Sequence, residues 1–558
     1  MDEQAELIFL PLGGCNEIGM NLNAYAYGPP SNRRWIIVDM GVSFGDERTP
    51  GIDVIIPDPA FLEDEVQNIE AVILTHAHED HIGAVGHLWY KFKKPLYATP
   101  FTAELIKGKL HDAGIIDDAA LNVVPLEGKV ELGPFSIEYV TLTHSIPEPN
   151  GLAIKTPAGT ILHTGDWKID PDPQIGAPFD SAALEKLGSD GVLAMVCDST
   201  NVFEEGEAGS EGSCKDEIAK VIAEQKGRVA VTAFASNVAR VESIIRGAEA
   251  AGRHVCLVGR SMHRITSAAK AVGMLKDCAD FVDEKEAGFL PSENILYLCT
   301  GSQGEPRAAL SRIAQGNHPN VSLGEGDTVI FSSRVIPGNE RGIFDLQNAL
   351  AERGIKLITD RMRPIHVSGH PCRDELRRMY SWVRPQISVP VHGERRHILE
   401  HADFARSLQV PETVTPKNGD VIRLAPGRAK IVDELPTGRL LLDGNRLIPE
   451  NAQGIQERRR MSFAGHLTVS VCFDEAGAVL DGPIVAVRGY SETDGRVLDE
   501  TIDIFDEAAE NAIDSLKRKG RLDDETVERS LIRALRKIGE RELGKRPLID
   551  VSVLRIEN

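Results

Sequence analysis

Six consecutive residues, His76-Ala77-His78-Glu79-Asp80-His81, set three imidazoles and two carboxylates side by side. Buried in a core, each of these groups would need its own hydrogen-bonding partner, and the imidazoles would repel one another if charged. A divalent cation removes both costs, because neutral imidazole and carboxylate are its preferred nitrogen and oxygen ligands. The apolar run Ala71-Val72-Ile73-Leu74-Thr75 stands directly before the hexad. It reads as a buried strand delivering a polar loop to the end of a sheet. A solvated, histidine-rich turn is the plain alternative, and this density of ligand groups after a strand argues against it.

The same grammar recurs downstream. Residues 136–142 (SIEYVTL) alternate as a strand and lead into Thr143-His144-Ser145-Ile146-Pro147, and 160–163 (TILH) lead into Thr164-Gly165-Asp166-Trp167. Much later come Pro364-Ile365-His366-Val367-Ser368-Gly369-His370 and Val389-Pro390-Val391-His392-Gly393-Glu394, the latter again a strand feeding a histidine. His163 reads as a strand residue, and His87 and His111 fall on helical segments, so none of the three is assigned as a ligand.

The elements that must position these groups follow from periodicity. Strands are expected at 7–13, 22–27 around the turn Gly13-Gly14, and 34–40, the last ending in Asp39-Met40-Gly41. A helix is expected over 82–94, with Lys91, Lys93 and Lys94 near its C-terminal end, where cations suit the dipole. Residues 192–201 form a further apolar strand ending in Asp198-Ser199-Thr200, and Glu204 to Ser210 has linker composition. Helices at 214–225, 237–251 and 263–275 then alternate with strands at 228–233 and 254–259, the signature of a parallel α/β sheet. No Gly-x-x-x-x-Gly-Lys-Ser/Thr loop occurs there, so a nucleoside triphosphatase is not supported. The turns after the strands are small and polar: Phe234 to Asn237, Gly259 to Ser261, Thr300 to Glu305 and Ser332 to Arg334. Turns of that kind at strand ends bind ligands in α/β folds, and singly they are ordinary caps. Strands at 419–424 and 438–443 close this region, 448–458 reads as a linker, and the remainder as a small α/β unit. That unit comprises strands near 464–473, 482–488 and 548–555 and helices near 499–519 and 524–541; it holds no candidate ligand set.

The chain has 558 residues, enough for roughly three or four domains. No run of about 18 apolar residues exists to span a membrane. The opening Met1-Asp2-Glu3-Gln4 lacks a basic region, so no signal peptide is expected. The eight cysteines are scattered without a Cys-x-x-Cys pair, against a zinc ribbon or disulfide framework and in keeping with a reducing cytoplasm. Sixty-two Lys and Arg against 84 Asp and Glu give a net charge of −22. Taken alone that weighs against a nucleic-acid partner, although a local cleft of Arg, His and metal can bind a polyanion while the outer faces stay acidic.

The His-x-His-x-Asp-His hexad resembles the signature of the metallo-β-lactamase-fold hydrolases. The order of hexad, strand-fed His, strand-fed Gly-Asp, inserted α/β region, Ser-Gly-His and His-Gly-Glu is similar to the β-CASP branch of that superfamily. The pieces Asp198-Ser199-Thr200-Asn201, Thr300-Gly301-Ser302-Gln303-Gly304-Glu305, Ile336-Pro337-Gly338-Asn339-Glu340 and His366-Val367-Ser368-Gly369-His370 resemble its RNA-processing members, over about residues 7–450. The resemblance implies an αββα sandwich (1–205 and 361–447) carrying an inserted α/β β-CASP domain (206–360). A linker (448–458) and a C-terminal α/β domain (459–558) for oligomerisation or interaction would follow, with RNA contact as the alternative role for the latter.

It also implies two divalent ions per subunit, zinc with manganese or magnesium as alternatives. His76, His78 and His144 would hold one, Asp80, His81 and His392 the other, with Asp166 bridging and Asp39 supporting from behind. A His at the place of His392 goes with RNA-processing members of the branch, where DNA-processing members carry an apolar residue. Asp80, Asp198 and His370 would serve the chemistry. Ser236, Asn237, His366, Ser368, Gly369 and His370 would form a pocket for a 5′-monophosphate. The implied function is a cytoplasmic ribonuclease acting in mRNA decay and rRNA maturation, as a 5′-to-3′ exonuclease and as an endonuclease. It would be a homodimer or homotetramer, able to join other RNA-decay proteins, with no membrane partner. The alternatives are a non-catalytic RNA-binding scaffold, disfavoured by the complete ligand set, and a small-molecule hydrolase of the same fold, disfavoured by the long insert.

Overall fold

The computed structural model describes residues 4–490, 492–493, 496–497 and 499–556. The acidic opening Met1 to Glu3 and the last two residues of the expected C-terminal domain therefore lie outside the described residues. The chain folds as two units, 1–43 with 56–438, and 44–55 with 439–558.

The larger unit is built on two sheets packed face to face. In the first, Glu6–Gly13, Leu22–Gly28 and Arg34–Val38 run antiparallel, and Ile69–Ile73, Leu96–Ala98 and Leu121–Val123 continue it in parallel. In the second, Ala194–Asp198 lies between Gly159–His163 and Ile387–Val391, parallel to both, and Phe135–Thr141 and Asn150–Thr156 extend it. The inner faces supply alternate residues to one core: Leu7, Phe9, Tyr25, Ile36, Val38 and Ile73 from one side, Ile137, Leu152, Ile154, Ile161, Val196 and Val389 from the other. Helices cover the outer faces; Leu184, Leu187, Met379, Tyr380 and Phe404 pack onto Leu142, Leu162 and Met195 behind the second sheet. Each strand with polar cargo thus ends at one rim, since the alternation that buries its apolar residues leaves the next residues at the sheet end.

The inserted region forms a separate parallel sheet, in the order His254–Val258, Ile295–Cys299, Val229–Thr232, Thr328–Phe331, Lys356–Thr359. Apolar clusters cover both its faces, as an all-parallel sheet requires. Asn237 caps the helix Val238–Ala250 and Ser210 caps Glu211–Ala223, each side chain accepting a backbone N–H of the first turn.

Three expectations change. The hexad does not sit wholly in a loop: the strand stops at Ile73, and Glu79–Ile82 makes one helical turn before Val85–Phe92, which ends at a left-handed Lys93. The passage Glu204 to Ser210 has linker composition but is tied down. The Ala208 N–H donates to Glu375, the Gly209 carbonyl accepts from Lys168, and Ser210 donates to Asp170. The expected linker 448–458 instead holds the end of the strand Arg446–Pro449 and the start of the helix Gln453–Ala464. Its polar composition matched a linker because Ile455 is the one buried residue of the helix and the other helical positions up to 458 are polar or small and at least partly exposed.

The smaller unit contains a three-stranded sheet, Val479–Arg488, His466–Asp474 and Leu548–Ile556. The helices Asp499–Lys519 and Asp524–Leu543 pack on its apolar side through Phe505, Ile513, Leu531 and Leu535. Among the described residues no helix is long and apolar enough to cross a membrane.

Candidate metal centre

The rim of the sandwich gathers the strand-fed residues into two groups that share one carboxylate. His76, His78, His144 and Asp166 offer ligand atoms within 4.8 Å of one another, and so do Asp80, His81, Asp166 and His392. The shared atom is Asp166 Oδ2. It lies 3.8 Å from His76 Nε2 and from His144 Nε2, 3.2 Å from His81 Nε2 and 3.5 Å from His392 Nε2. Asp80 Oδ2 completes the second group, 3.6 Å from His81 Nε2 and 3.7 Å from His392 Nε2.

Which nitrogen each ring presents follows from what holds its other one. Asp39, buried at the end of its strand, accepts from the Thr75 hydroxyl and from His81 Nδ1 at 2.7 Å. With its proton committed to Asp39, the Thr75 hydroxyl can only accept at His76 Nδ1, 3.0 Å away. His144 Nδ1 donates to the Gly369 carbonyl at 2.5 Å, and His392 Nδ1 is held by the Asn21 amide, 3.0 Å from Nδ2 and 3.1 Å from Oδ1. In His76 and His144, therefore, Nδ1 carries the proton and the Nε2 lone pair lies on the Asp166 side, the arrangement outer partners impose on metal-binding histidines. His81 meets a carboxylate at each nitrogen, Asp39 at Nδ1 and Asp166 at Nε2, and despite burial these, with Asp80, raise its pKa. His78 is turned the other way, its Nδ1 lying 3.1 Å from His144 Nε2.

The polar atoms left over test whether a cation fits. His76 Nε2 and Asp166 Oδ1 are buried without a hydrogen-bond partner. Burial lowers the pKa of His78 to about 4 and those of His76 and His144 well below the usual histidine value, so these rings are held neutral, the form in which imidazole binds a metal. Orphaned buried acceptors cost on the order of 1–3 kcal/mol each. A divalent cation in each group satisfies all of them, and the residues present fit it.

The backbone is bent to make this geometry. Asp39 and His392 have φ of 65° and 52°, left-handed values that non-glycine residues adopt at a cost and that concentrate at functional sites. Gly41 lets the hexad turn close onto its neighbour: a Cβ there would sit 1.7 Å from the Asp80 carbonyl oxygen and 2.7 Å from the Asn21 nitrogen. Gly369 is similarly constrained, its would-be Cβ 2.8 Å from His144 Cε1.

His370 stands beside the groups. Its Nδ1 is 2.8 Å from Asp198 Oδ2, and its ring stacks on His392 at 5.6 Å between centroids. Burial pulls its pKa down, but Asp198, with Asp166 and Asp80, outweighs that and holds it up at about 9. Asn201 donates to Ser368 Oγ and to the His370 carbonyl, knitting the Asp198-to-Asn201 segment to Ser368-Gly369-His370.

The other residues singled out in the sequence divide. His366 lies 3.5 Å from an Arg240 nitrogen, and burial and that cation push it down to about 3. Ser236 is half-buried in the turn ahead of the cap. Asn237 caps and braces: its Oδ1 accepts the Arg240 N–H and its Nδ2 donates one hydrogen to Glu211. A polar turn after a strand reads the same in sequence whether it caps or binds. His163 hydrogen-bonds the buried Tyr25 hydroxyl, and His87 and His111 lie on helices, as expected.

Sequence reasoning missed Asn21, Thr75 and the Glu211–Arg240 pair. Asn21 holds both His392 and the Asp80 carbonyl. Nothing in Gly-Met-Asn marked it beyond its place near a Gly-Gly turn.

Four family models match the chain: "Metallo-beta-lactamase superfamily" at 19–180, "Ribonuclease J, beta-CASP domain" at 226–350, "Zn-dependent metallo-hydrolase RNA specificity domain" at 355–411 and "Ribonuclease J C-terminal domain" at 453–556. The chain is 44% identical to a ribonuclease J of Sinorhizobium meliloti over 100% of its own length and 98% of that protein's. It is 33% identical to a ribonuclease J of Thermus thermophilus, over 98% of this chain and 95% of that protein. The crystal structure of a protein of unknown function from Enterococcus faecalis V583 superposes with a TM-score of 0.52, over 75% of this chain and 100% of that one. At 18% identity, that likeness is one of fold alone.

Proposed function

The chain belongs to the ribonuclease J family, and from that premise we propose that it cleaves RNA with two zinc ions per subunit, from 5′-monophosphate ends and internally. It is a metal-dependent ribonuclease; the reading goes further in the number and identity of the ions, the mode of attack and the roles of single residues. The observation that carries it is the double use of Asp166 Oδ2, within 3.8 Å of four imidazole nitrogens that belong to two ligand groups. His76, His78 and His144 would hold one ion and Asp80, His81 and His392 the other, with Asp166 between. Nitrogen-rich ligation favours zinc, with manganese as the next candidate and magnesium as the least suited.

Two bound divalent ions supply a hydroxide near neutral pH and neutralise charge on the phosphate. The chain's own residues do the rest. Asp39, Thr75, Asn21 and the Gly369 carbonyl orient the imidazoles. His370, fixed by Asp198, is placed to donate to a non-bridging phosphate oxygen or to the departing oxygen. Ser236, His366, Ser368 and the backbone at Gly369 would line the pocket for the terminal phosphate, with hydroxyls, N–H groups and an imidazole in place of a basic surface. An overall charge of −22 is compatible with such a cleft. The same reading assigns the protein to mRNA decay and rRNA maturation in the cytoplasm. It makes the protein a homodimer or homotetramer that joins other decay proteins, with residues 459–558 as the assembly module.

One RNA prepared with a 5′-monophosphate, a 5′-triphosphate and a 5′-hydroxyl, incubated with and without chelator, tests this. Mononucleotides released fastest from the monophosphate and stopped by chelator are expected. Chelator-sensitive internal cuts indifferent to the 5′ end would remove the pocket and keep the ions.

A further inference from the structure

Glu79 lies inside the hexad, yet its side chain turns away from both ligand groups. Its carboxylate reaches Lys109 Nζ at 2.6 Å on the helix Pro100–Asp112, and Arg264 Nη2 at 3.2 Å on the helix Arg260–Ala271 of the insert. The hexad turn does not need this side chain for its shape: the Glu79 carbonyl is held by the N–H groups of Val42 and Gly83, and the Asp80 carbonyl by the Asn21 N–H. The two cations differ in kind. The Lys109 side chain is 13% exposed, that of Arg264 is 49%, and Glu79 itself is 41%. Ion pairs as open as Glu79–Arg264 contribute little to stability. If Arg264 leaves, Lys109 remains to neutralise Glu79.

The helix that carries Arg264 adds a second observation. Its first turn holds Arg260 and His263 and no acidic residue, the reverse of what the helix dipole favours. Arg260, one turn before Arg264 on the same face, is exposed and makes no ion pair among the described residues. A cationic stripe at a positive helix end is a local conflict of the kind that marks a binding surface, and here it borders the hexad. In a chain of net charge −22, phosphates of a bound strand must find their cations locally.

We infer that Arg264 contacts an RNA phosphate next to the scissile one, and that Glu79 holds its guanidinium in place until the strand displaces it. The inference rests on the ribonuclease reading above and adds a positioning pair to it. The exchange is favourable because a guanidinium can grip a phosphate through two parallel hydrogen bonds, whereas a single Arg264 nitrogen approaches Glu79.

The test uses metal-loaded protein and a phosphorothioate-linked single-stranded RNA that resists cleavage, with affinity measured across a salt series. Arg264→Gln is expected to weaken binding roughly tenfold and to make the slope of log affinity against log salt shallower by about 0.7, one phosphate contact on a single strand. Arg264→Lys, which keeps the charge, should keep the slope. Glu79→Gln should tighten binding, and Glu79→Gln with Arg264→Gln should bind like Arg264→Gln alone. Unchanged affinity and slope in Arg264→Gln would overturn the inference, as would a Glu79→Gln effect that persists without Arg264. A loss of affinity accompanied by loss of zinc and an unaltered slope would overturn it too. Failure of the unaltered protein to bind or cut RNA would instead overturn the ribonuclease reading on which it stands.

Discussion

Two buried polar knots in the larger unit invite comparison. One is the set of imidazoles and carboxylates at the sandwich rim; the other is Arg240 with Glu211, Asn237 and Ser332 at the base of the insert. Most groups of both are buried, His78 and Asp80 of the first being partly exposed. In the second, the chain meets every need: Arg240 donates to both Glu211 oxygens at 2.9 and 3.0 Å, to Ser332 and to the Ile365 carbonyl, and Glu211 also accepts from Asn237. In the first, His76 Nε2 and Asp166 Oδ1 have no partner. Burial and charge therefore do not distinguish a site from a brace. Satisfaction does: a closed knot holds structure, and an open one awaits a ligand.

The largest expected effect breaks the open knot. His76→Ala or Asp166→Asn should reduce RNA cleavage by well over the roughly 10–100-fold that losing an outer partner brings, with bound metal falling in parallel. Cleavage and metal content, measured on the same preparation, check it; near-normal activity would equate the two knots.

Breaking the closed knot should do the reverse. Arg240→Ala leaves Glu211 buried without its cation and should cost about 3–5 kcal/mol of stability, read from denaturant unfolding. Metal content per folded molecule should hold.

Asp39→Asn sharpens the comparison from the side. It keeps the shape, weakens acceptance from His81 and Thr75, and should lower metal affinity by about 10–100-fold, measured by competition with a chelator.

The smallest effect concerns pH. Burial raises the Glu211 carboxyl, but Arg240 and its other partners bring it net below its ordinary value. The pair's stabilisation is thus fully present above the ordinary carboxylate range and fades as pH falls through the lowered value. Glu211→Gln should flatten that acid limb of the stability curve, while His76→Ala leaves it in place.

Much of the site was legible because each ligand follows an apolar strand, and a strand's alternation predicts where its next residue emerges. That reasoning reached His76, His144, Asp166 and His392. It could not reach Asn21 or Thr75, since a buried amide or hydroxyl has no periodic signature. Nor could it show that Asn237 caps a helix, because a helix cap and a ligand donor are written with the same residues. The expected linker at 448–458 failed for a related reason: charged residues on the exposed side of a short helix have the composition of a tether.

By itself the sequence determined which atoms could bind a metal and which strands carry them, since ligand chemistry and two-residue periodicity are local properties. Only the tertiary structure decided that they meet. His81 and His392, separated by 311 positions, come within 3.2 and 3.5 Å of one carboxylate oxygen. Which ring nitrogen each offers was decided there too, because Asp39, Asn21 and the Gly369 carbonyl are distant in sequence from the histidines they orient. Coordination acts over a few ångströms and in fixed directions, and only the packing of two sheets brings such distant residues within that range.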